Sequence, residues 1–161
     1  MSADPLIVIR IDAADFDIAG EMEKLAAGRS DIGAIVSFVG LCRDEGGRLA
    51  ALEQEHYQAM AESEIAKIAG EAVKRWPLIG LTVIHRHGKI MPGENIVLVL
   101  AASSHRQPTF EAAGFVMDYL KTTAPFWKKE HLADGTAGPW VDAKVEDEQA
   151  NRHWQVKPAS G

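Results

Sequence analysis

Between Ser103 and His131 the chain reads SSHRQPTFEAAGFVMDYLKTTAPFWKKEH, setting His105, Arg106, Lys121, Lys128 and Lys129 along one path. Imidazole, guanidinium and ammonium groups hold anions and move protons, so this stretch points to an anionic ligand. His105 and Arg106 stand between an apolar run and an amphipathic one, where side chains and free amides of a helix N-terminus can meet an anion. The structural alternative is a helix cap, with Ser104 or Gln107 satisfying the amides and Arg106 merely solvated. Lys121 falls near the end of the same helical segment, where the helix dipole alone favours a cation. Lys128, between Phe126 and Glu130, is harder to explain as structure, although lysine on an edge strand also discourages aggregation. If Lys121 and Lys128 share one pocket, repulsion lowers the pKa of at least one; two charges ~4 Å apart at an effective dielectric of about 20 repel by ~4 kcal/mol. One lysine then becomes a proton donor or nucleophile near neutral pH.

Other candidates are weaker. His85-Arg86-His87 puts two imidazoles on one strand face, a spacing that suits a metal, but no third ligand is evident and a polar strand face is preferred. Cys42 next to Arg43 would have a lowered pKa if exposed, against the simpler reading of a small hydrophobe at a strand end. Asp44-Glu45 and the late run EDEQ read as solvated charge.

These residues need elements to place them. Leu6 to Ile11 reads as a strand, and Asp17 to Ala27 as a helix with Ile18, Met22 and Leu25 at helical spacing. Ile32 to Gly40 is a second strand, followed by a glycine-rich, charged loop to Arg48. Leu49 to Tyr57 alternates weakly, as a half-exposed strand does. Ala61, Ile65, Ile68, Ala72 and Trp76 then share a helical face that Pro77 ends. Leu81 to His87 and Asn95 to Ser103 are strands joined by GKIMPGE, a turn built on Pro92-Gly93, which makes them an antiparallel pair with the second one central. Gln107 to Thr122 fits a helix with Pro108 in its first turn and a buried stripe of Phe110, Ala113, Gly114, Met117 and Leu120. Ala124-Pro125 forces extended backbone, so Phe126, Lys128 and Glu130 share one strand face while Trp127, Lys129 and His131 share the other. ADGTAGP reads as a turn, Trp140 to Lys144 as a return strand, and the polar segment from Val145 as a short helix and frayed tail. This element order is α+β rather than strictly alternating.

At 161 residues, 47% hydrophobic and 25% charged, the sequence fits one domain with a sizeable core. Its net charge of -6 opposes general binding to nucleic acid or an anionic membrane, leaving room for a local basic pocket. The apolar runs near Ile32 to Leu41 and Ile96 to Ala102 fall far short of the ~20 residues of a spanning helix. A single cysteine excludes an internal disulfide framework, and the expected compartment is the cytoplasm.

The segments LEQEHYQAM, RWPLIGLTVIHRHGKIMPGE, SSHRQPTFEAAGFVMDYLKTTAPFWKKE and PWVDAK together resemble the large, catalytic subunit of molybdopterin synthase, the MoaE family. The resemblance runs from about Ile32 to Lys144, and DYLKTTAPFWKKE is its most specific block. It implies an α/β hammerhead-type α+β fold with an additional antiparallel β-subdomain, spanning residues 1–161 as one MoaE-like domain. It also implies a homodimer that binds a small ubiquitin-like, MoaD-like subunit at each end, forming a heterotetramer. That partner brings sulfur as a C-terminal Gly-Gly thiocarboxylate; the substrate is cyclic pyranopterin monophosphate (precursor Z) and the product the molybdopterin dithiolene. The implied catalytic residues are Lys121, near the partner's terminal carbonyl, and Lys128. Leu41, Cys42 and Arg43, then His105 and Arg106, then Lys128, Lys129 and Glu130 match the substrate-binding segments. Phe38 and Met117 line the tail channel or pterin pocket, or belong to the core. Lys144 stands where the resemblance leads one to expect an arginine that reaches the neighbouring subunit's site. No cofactor or metal is implied.

Overall fold

Strand β6 (Asn95–Ser103) shows how this sequence becomes a two-faced core. In the computed structural model, which describes residues 4–122 and 126–141, its side chains alternate between two apolar clusters. Val97, Val99 and Ala101 join helices α2 (Gln58–Arg75) and α3 (Arg106–Thr122), while Leu98, Leu100 and Ala102 join Leu25 of α1 (Ile18–Ala26). A strand that is apolar at every position must be covered on both faces. It lies inside a four-stranded sheet of order β1-β4-β6-β2, with β1 Leu6–Asp12, β2 Ala34–Leu41 and β4 Leu78–Arg86. β1 runs parallel to β4; the other pairings are antiparallel. The expected central position of Asn95 to Ser103 and its antiparallel pairing with the preceding long strand both hold.

A second, three-stranded antiparallel sheet has the order β5-β3-β7, with β3 Leu49–His56, β5 Gly88–Ile90 and β7 Phe126–Leu132. Here GKIMPGE departs from the expected simple turn. Its first residues form β5 against Leu52–Gln54, and only Met91 to Glu94 makes the turn, closed by Glu94 N–H to Met91 O at 3.0 Å. Three residues are too few to show a strand period. The four-stranded and three-stranded sheets together give the expected α+β class.

Two further expectations need correction. The buried stripe of α3 is Thr109, Ala112, Ala113, Phe115, Val116 and Leu120, so Phe110 is 59% exposed rather than buried. Both faces of this helix carry apolar residues at helical spacing. The face is chosen by its partners, Phe115 standing edge-on to Trp76 at 5.2 Å. His85 and Arg86 are buried rather than on a polar strand face; Arg86 donates to Ala13 O and Asn95 O. Helix α2 buries the residues its periodicity indicates, and Trp76 caps it, donating Nε1–H to Glu111 at 2.6 Å. Among the described residues no helix is long and apolar enough to cross a membrane. Lys144, the return strand beyond Val141 and the segment from Val145 lie outside the described residues, as does Ala124-Pro125.

Candidate active site

The end of the four-stranded sheet meets the second sheet at a cavity of about 600 Å³. Four segments supply its chemistry. The end of β2 and the loop after it bring Leu41, Cys42, Arg43, Glu45 and Arg48; the last turn of α3 brings Lys121; β7 brings Phe126, Lys128 and Glu130; β3 brings Leu52 and Gln54. The pleat of β7 selects its contribution, because alternate residues face alternate sides. The register continues the same face across to β3, where Leu52 opposes Glu130 and Gln54 opposes Lys128. Gly46 and Gly47, both at positive φ (71° and 74°), turn the loop that returns Arg48 to this cavity.

The lining holds four cations, Arg43, Arg48, Lys121 and Lys128, against two carboxylates, Glu45 and Glu130. An acidic protein thus keeps one locally positive concavity, the arrangement that concentrates an anion. Arg43 is exposed and bridges to Glu45 at 2.6 Å, an ion pair open enough to exchange for a phosphate. Cys42 is 3% exposed, and burial pushes its thiol pKa up. Its amide donates to Glu94 O at 2.8 Å and its carbonyl accepts from Gly93 N–H at 2.7 Å. It is the small buried residue of the simpler reading, and it fixes the backbone from which Arg43 projects. Phe38 and Met117 both line the cavity, and Phe38 is 40% exposed, which decides between cavity lining and core for that ring.

Of the nine residues that the resemblance assigns to the site, Leu41, Cys42, Arg43, Lys121, Lys128 and Glu130 line this cavity, and His105, Arg106 and Lys129 do not. Lys129 faces the other way, its Nζ 5.5 Å from the ring centroid of Trp140. His105 and Arg106 lie at the opposite end of α3 from Lys121, about 22 Å away at 1.5 Å per residue. Both are exposed there, and neither lines the cavity. Gly33 allows this corner to form: its N–H donates to Ser103 O at 2.9 Å, and a Cβ would come within 2.1 Å of Ser104 O.

Sequence reasoning passed over Arg48, Gln54 and His85 as site residues. Gln54 had a signal, the period of two within β3, visible once the register with β7 is known. His85 had one that pointed to different chemistry, its spacing to His87. Among the described residues no group of three or more His, Cys, Asp or Glu side chains is placed to hold a metal. His85 instead stacks on Phe126, with centroids 3.9 Å apart and planes 18° from parallel.

Comparison with known proteins fits this geometry. A family model described as MoaE protein matches residues 11–123. The molybdopterin synthase catalytic subunit of Mesorhizobium japonicum is 65% identical over 155 residues, covering 96% of this chain and 98% of that one. The structure of the molybdopterin biosynthesis MoaE protein from Burkholderia ambifaria is similar with a TM-score of 0.81 and 46% identity, over 94% of this chain and 100% of that one. A protein–protein complex of subunits 1 and 2 of molybdopterin-converting factor from Helicobacter pylori shares the fold, with a TM-score of 0.67 at 21% identity, over 86% of this chain and 90% of that one. On the extent of the family match and the identity to full-length relatives, the chain belongs to the MoaE family of molybdopterin synthase catalytic subunits.

Proposed function

We propose that this chain is the catalytic subunit of a cytoplasmic molybdopterin synthase. It transfers two sulfurs to cyclic pyranopterin monophosphate, each from the thiocarboxylated C-terminus of a separate small ubiquitin-like partner, forming the dithiolene. The observation that carries the reading is the convergence of Lys121, Lys128 and Arg43, from three separate elements, on one cavity. The cavity holds cations and no exposed thiol: Cys42 is buried, so the sulfur nucleophile has to arrive on another molecule.

Each cation has work to do in that chemistry. Lys121 polarises the partner's terminal carbonyl or transiently accepts its acyl group, so that sulfur departs to the substrate and the partner is released as a carboxylate after water attacks. Lys128 contacts the substrate and carries protons to and from the pterin as each C–S bond replaces a C–O bond, the displaced oxygen leaving as water or with the phosphate. Arg43 holds the phosphate with a planar fork, Leu41 and Cys42 form the wall beside it, and Glu130 meets the substrate's donors. Helix α3 holds His105 and Arg106 away from this cavity, so a substrate contact by that pair requires that the homodimer bring them to the other copy's cavity. Lys144 would act across the same boundary.

The direct test supplies the purified protein with cyclic pyranopterin monophosphate and a small partner ending in a Gly-Gly thiocarboxylate, and measures molybdopterin. Product is expected, and its absence with the partner demonstrably bound refutes the assignment. A non-catalytic scaffold for a ubiquitin-like tail would bind the partner and yield no product. Arg106→Ala should weaken substrate binding more than partner binding, and the reverse order would remove Arg106 from the phosphate site.

A further inference from the structure

His85 lines the cavity yet has no part in the chemistry above. Along β4 the residues Leu81, Val83 and His85 lie on one face, and the first two pack into the cluster formed with α2 and α3. His85 therefore continues the core face of the sheet to the point where the last turn of α3 delivers Lys121. Its ring is fixed on two sides. Phe126 stacks on it, and Nδ1 lies 2.7 Å from Arg86 O. A carbonyl oxygen only accepts, so Nδ1 carries the hydrogen. In the neutral ring the remaining nitrogen, Nε2, is then a bare acceptor with a set direction.

Neutrality is secured by the surroundings. Burial pushes the His85 pKa down to about 4, and the nearby charges of Lys121, His56 and His87 push the same way, opposed by the bond to Arg86 O. His56 comes from β3 and sits 5.8 Å from Phe126, with both ring nitrogens buried and unbonded. His87 follows β4 and lies 4.8 Å from His56, centroid to centroid. Lys128 and Glu130 from β7 and Arg43 from the loop after β2 share the cavity. Among these groups Lys121 is a donor that needs an acceptor to aim it, and His85 is a neutral acceptor on the same wall.

Resting on the assignment of Lys121 to the partner's acyl group, we propose that His85 is the positioning residue of Lys121: the two line one cavity wall without a hydrogen bond between them, and when the partner's tail enters, Nε2 accepts one from the ammonium and holds it at the reacting carbonyl. No proton changes hands in this role. The ring acts as a fixed acceptor, and it keeps a second cation from competing for the same place.

Amide side chains separate this role from simple packing. His85→Gln places an acceptor oxygen near the position of Nε2; His85→Asn reaches only as far as Nδ1 and preserves the bond to Arg86; His85→Phe keeps the stack and the volume. Synthase turnover should fall on the order of tenfold or more in the Asn and Phe variants, the scale of one lost charge-assisted hydrogen bond. The KM for the thiocarboxylated partner should hold, and His85→Gln should recover most of kcat. A purely structural role ranks the variants by melting temperature, with no advantage for Gln. Full kcat in His85→Asn, or a Gln variant no better than Phe at equal melting temperature, overturns the inference while leaving the synthase reading intact. Failure of the unsubstituted protein to turn over, or near-normal turnover in Lys121→Ala, overturns both.

Discussion

The two faces of β7 carry nearly matched sets of side chains and behave as opposites. Inward, Phe126, Lys128 and Glu130 line the cavity. Outward, Trp127 stands edge-on to Tyr57 at 5.2 Å, Lys129 lies over Trp140, and His131 meets Glu53 at 2.8 Å. Each face has one aromatic ring, one lysine and one further polar group, so composition does not tell them apart. Surroundings do. The outer groups sit against rings and a carboxylate of their own neighbourhood, and the inner lysine shares a concave wall with Arg43, Arg48 and Lys121, where cations outnumber carboxylates. A field that attracts an anion arises on one side of the strand only.

The sharpest way to break that contrast is to remove an inner lysine. Lys121→Ala should reduce synthase turnover by on the order of 10² to 10⁴, the range expected when a positioned proton-transfer or electrostatic group is lost. Partner binding, followed by gel filtration or calorimetry, should stay largely intact, because the affinity of such a tail does not depend on one ammonium. Lys128→Ala should fall in the same range with a rise in KM for the pterin. Near-normal activity in both variants would make the inner face no more functional than the outer one.

The cavity side also includes a pH-dependent stability term. His85 is held neutral, with its pKa near 4 against an ordinary value near 6.5. The unfolded chain binds a proton there at a higher pH than the folded one. Stability is therefore complete above the ordinary value and falls as pH drops from about 6.5 towards 4, by up to about 3 kcal/mol. Below that window the folded ring protonates too and the loss levels off. Chemical denaturation at pH 7 and pH 4.5 should show a clearly smaller acid loss in His85→Phe than in the unsubstituted chain. Equal losses would mean that the ring is solvated and the cavity wall wetter than the structure shows. Glu21, held below the usual carboxylate range chiefly by its bond to Arg10, acts at lower pH: its contribution is present above the ordinary carboxylate pKa and is lost as pH falls through the depressed one.

How far the sequence can be read follows the same contrast. Core elements declare themselves because burial repeats: Ala61, Ile65, Ile68 and Ala72 mark α2, and the unbroken apolar run of β6 marks a strand covered on both sides. The face assignment along β7 is equally periodic. Helix α3 is ambiguous, since Phe110 and Met117 form as good a stripe as Ala112, Phe115 and Val116, and only the packing of Trp76 and Phe115 decides. For the site, the chemistry of Lys121, Lys128 and Arg43 can be read from side-chain type and from resemblance to the MoaE family. What does not show is the third dimension. His105 and Arg106 precede Lys121 by one helix, and a rigid helix separates what the string places close. His85 is hidden for the opposite reason, joining Lys121 only through sheet pairing and packing across the chain.

The smallest effect tests the outer face directly. Lys129 is as cationic as Lys128 and adjacent to it, yet its Nζ rests over Trp140 on the side away from the cavity. An exposed contact of this kind is worth about 0.5–1 kcal/mol. Lys129→Ala should therefore lower the melting temperature by only ~1–4 °C, given the scaling for a chain of this size. Turnover and the KM for the pterin should stay within about threefold, less than the tenfold that 1.4 kcal/mol represents. The double variant Lys128→Ala/Lys129→Ala should match Lys128→Ala alone in kcat, since successive strand residues point to opposite faces and only Lys128 lines the cavity. A large loss in Lys129→Ala would show that the assembled synthase brings a second surface against the outer face, and that both sides of β7 contribute to substrate binding.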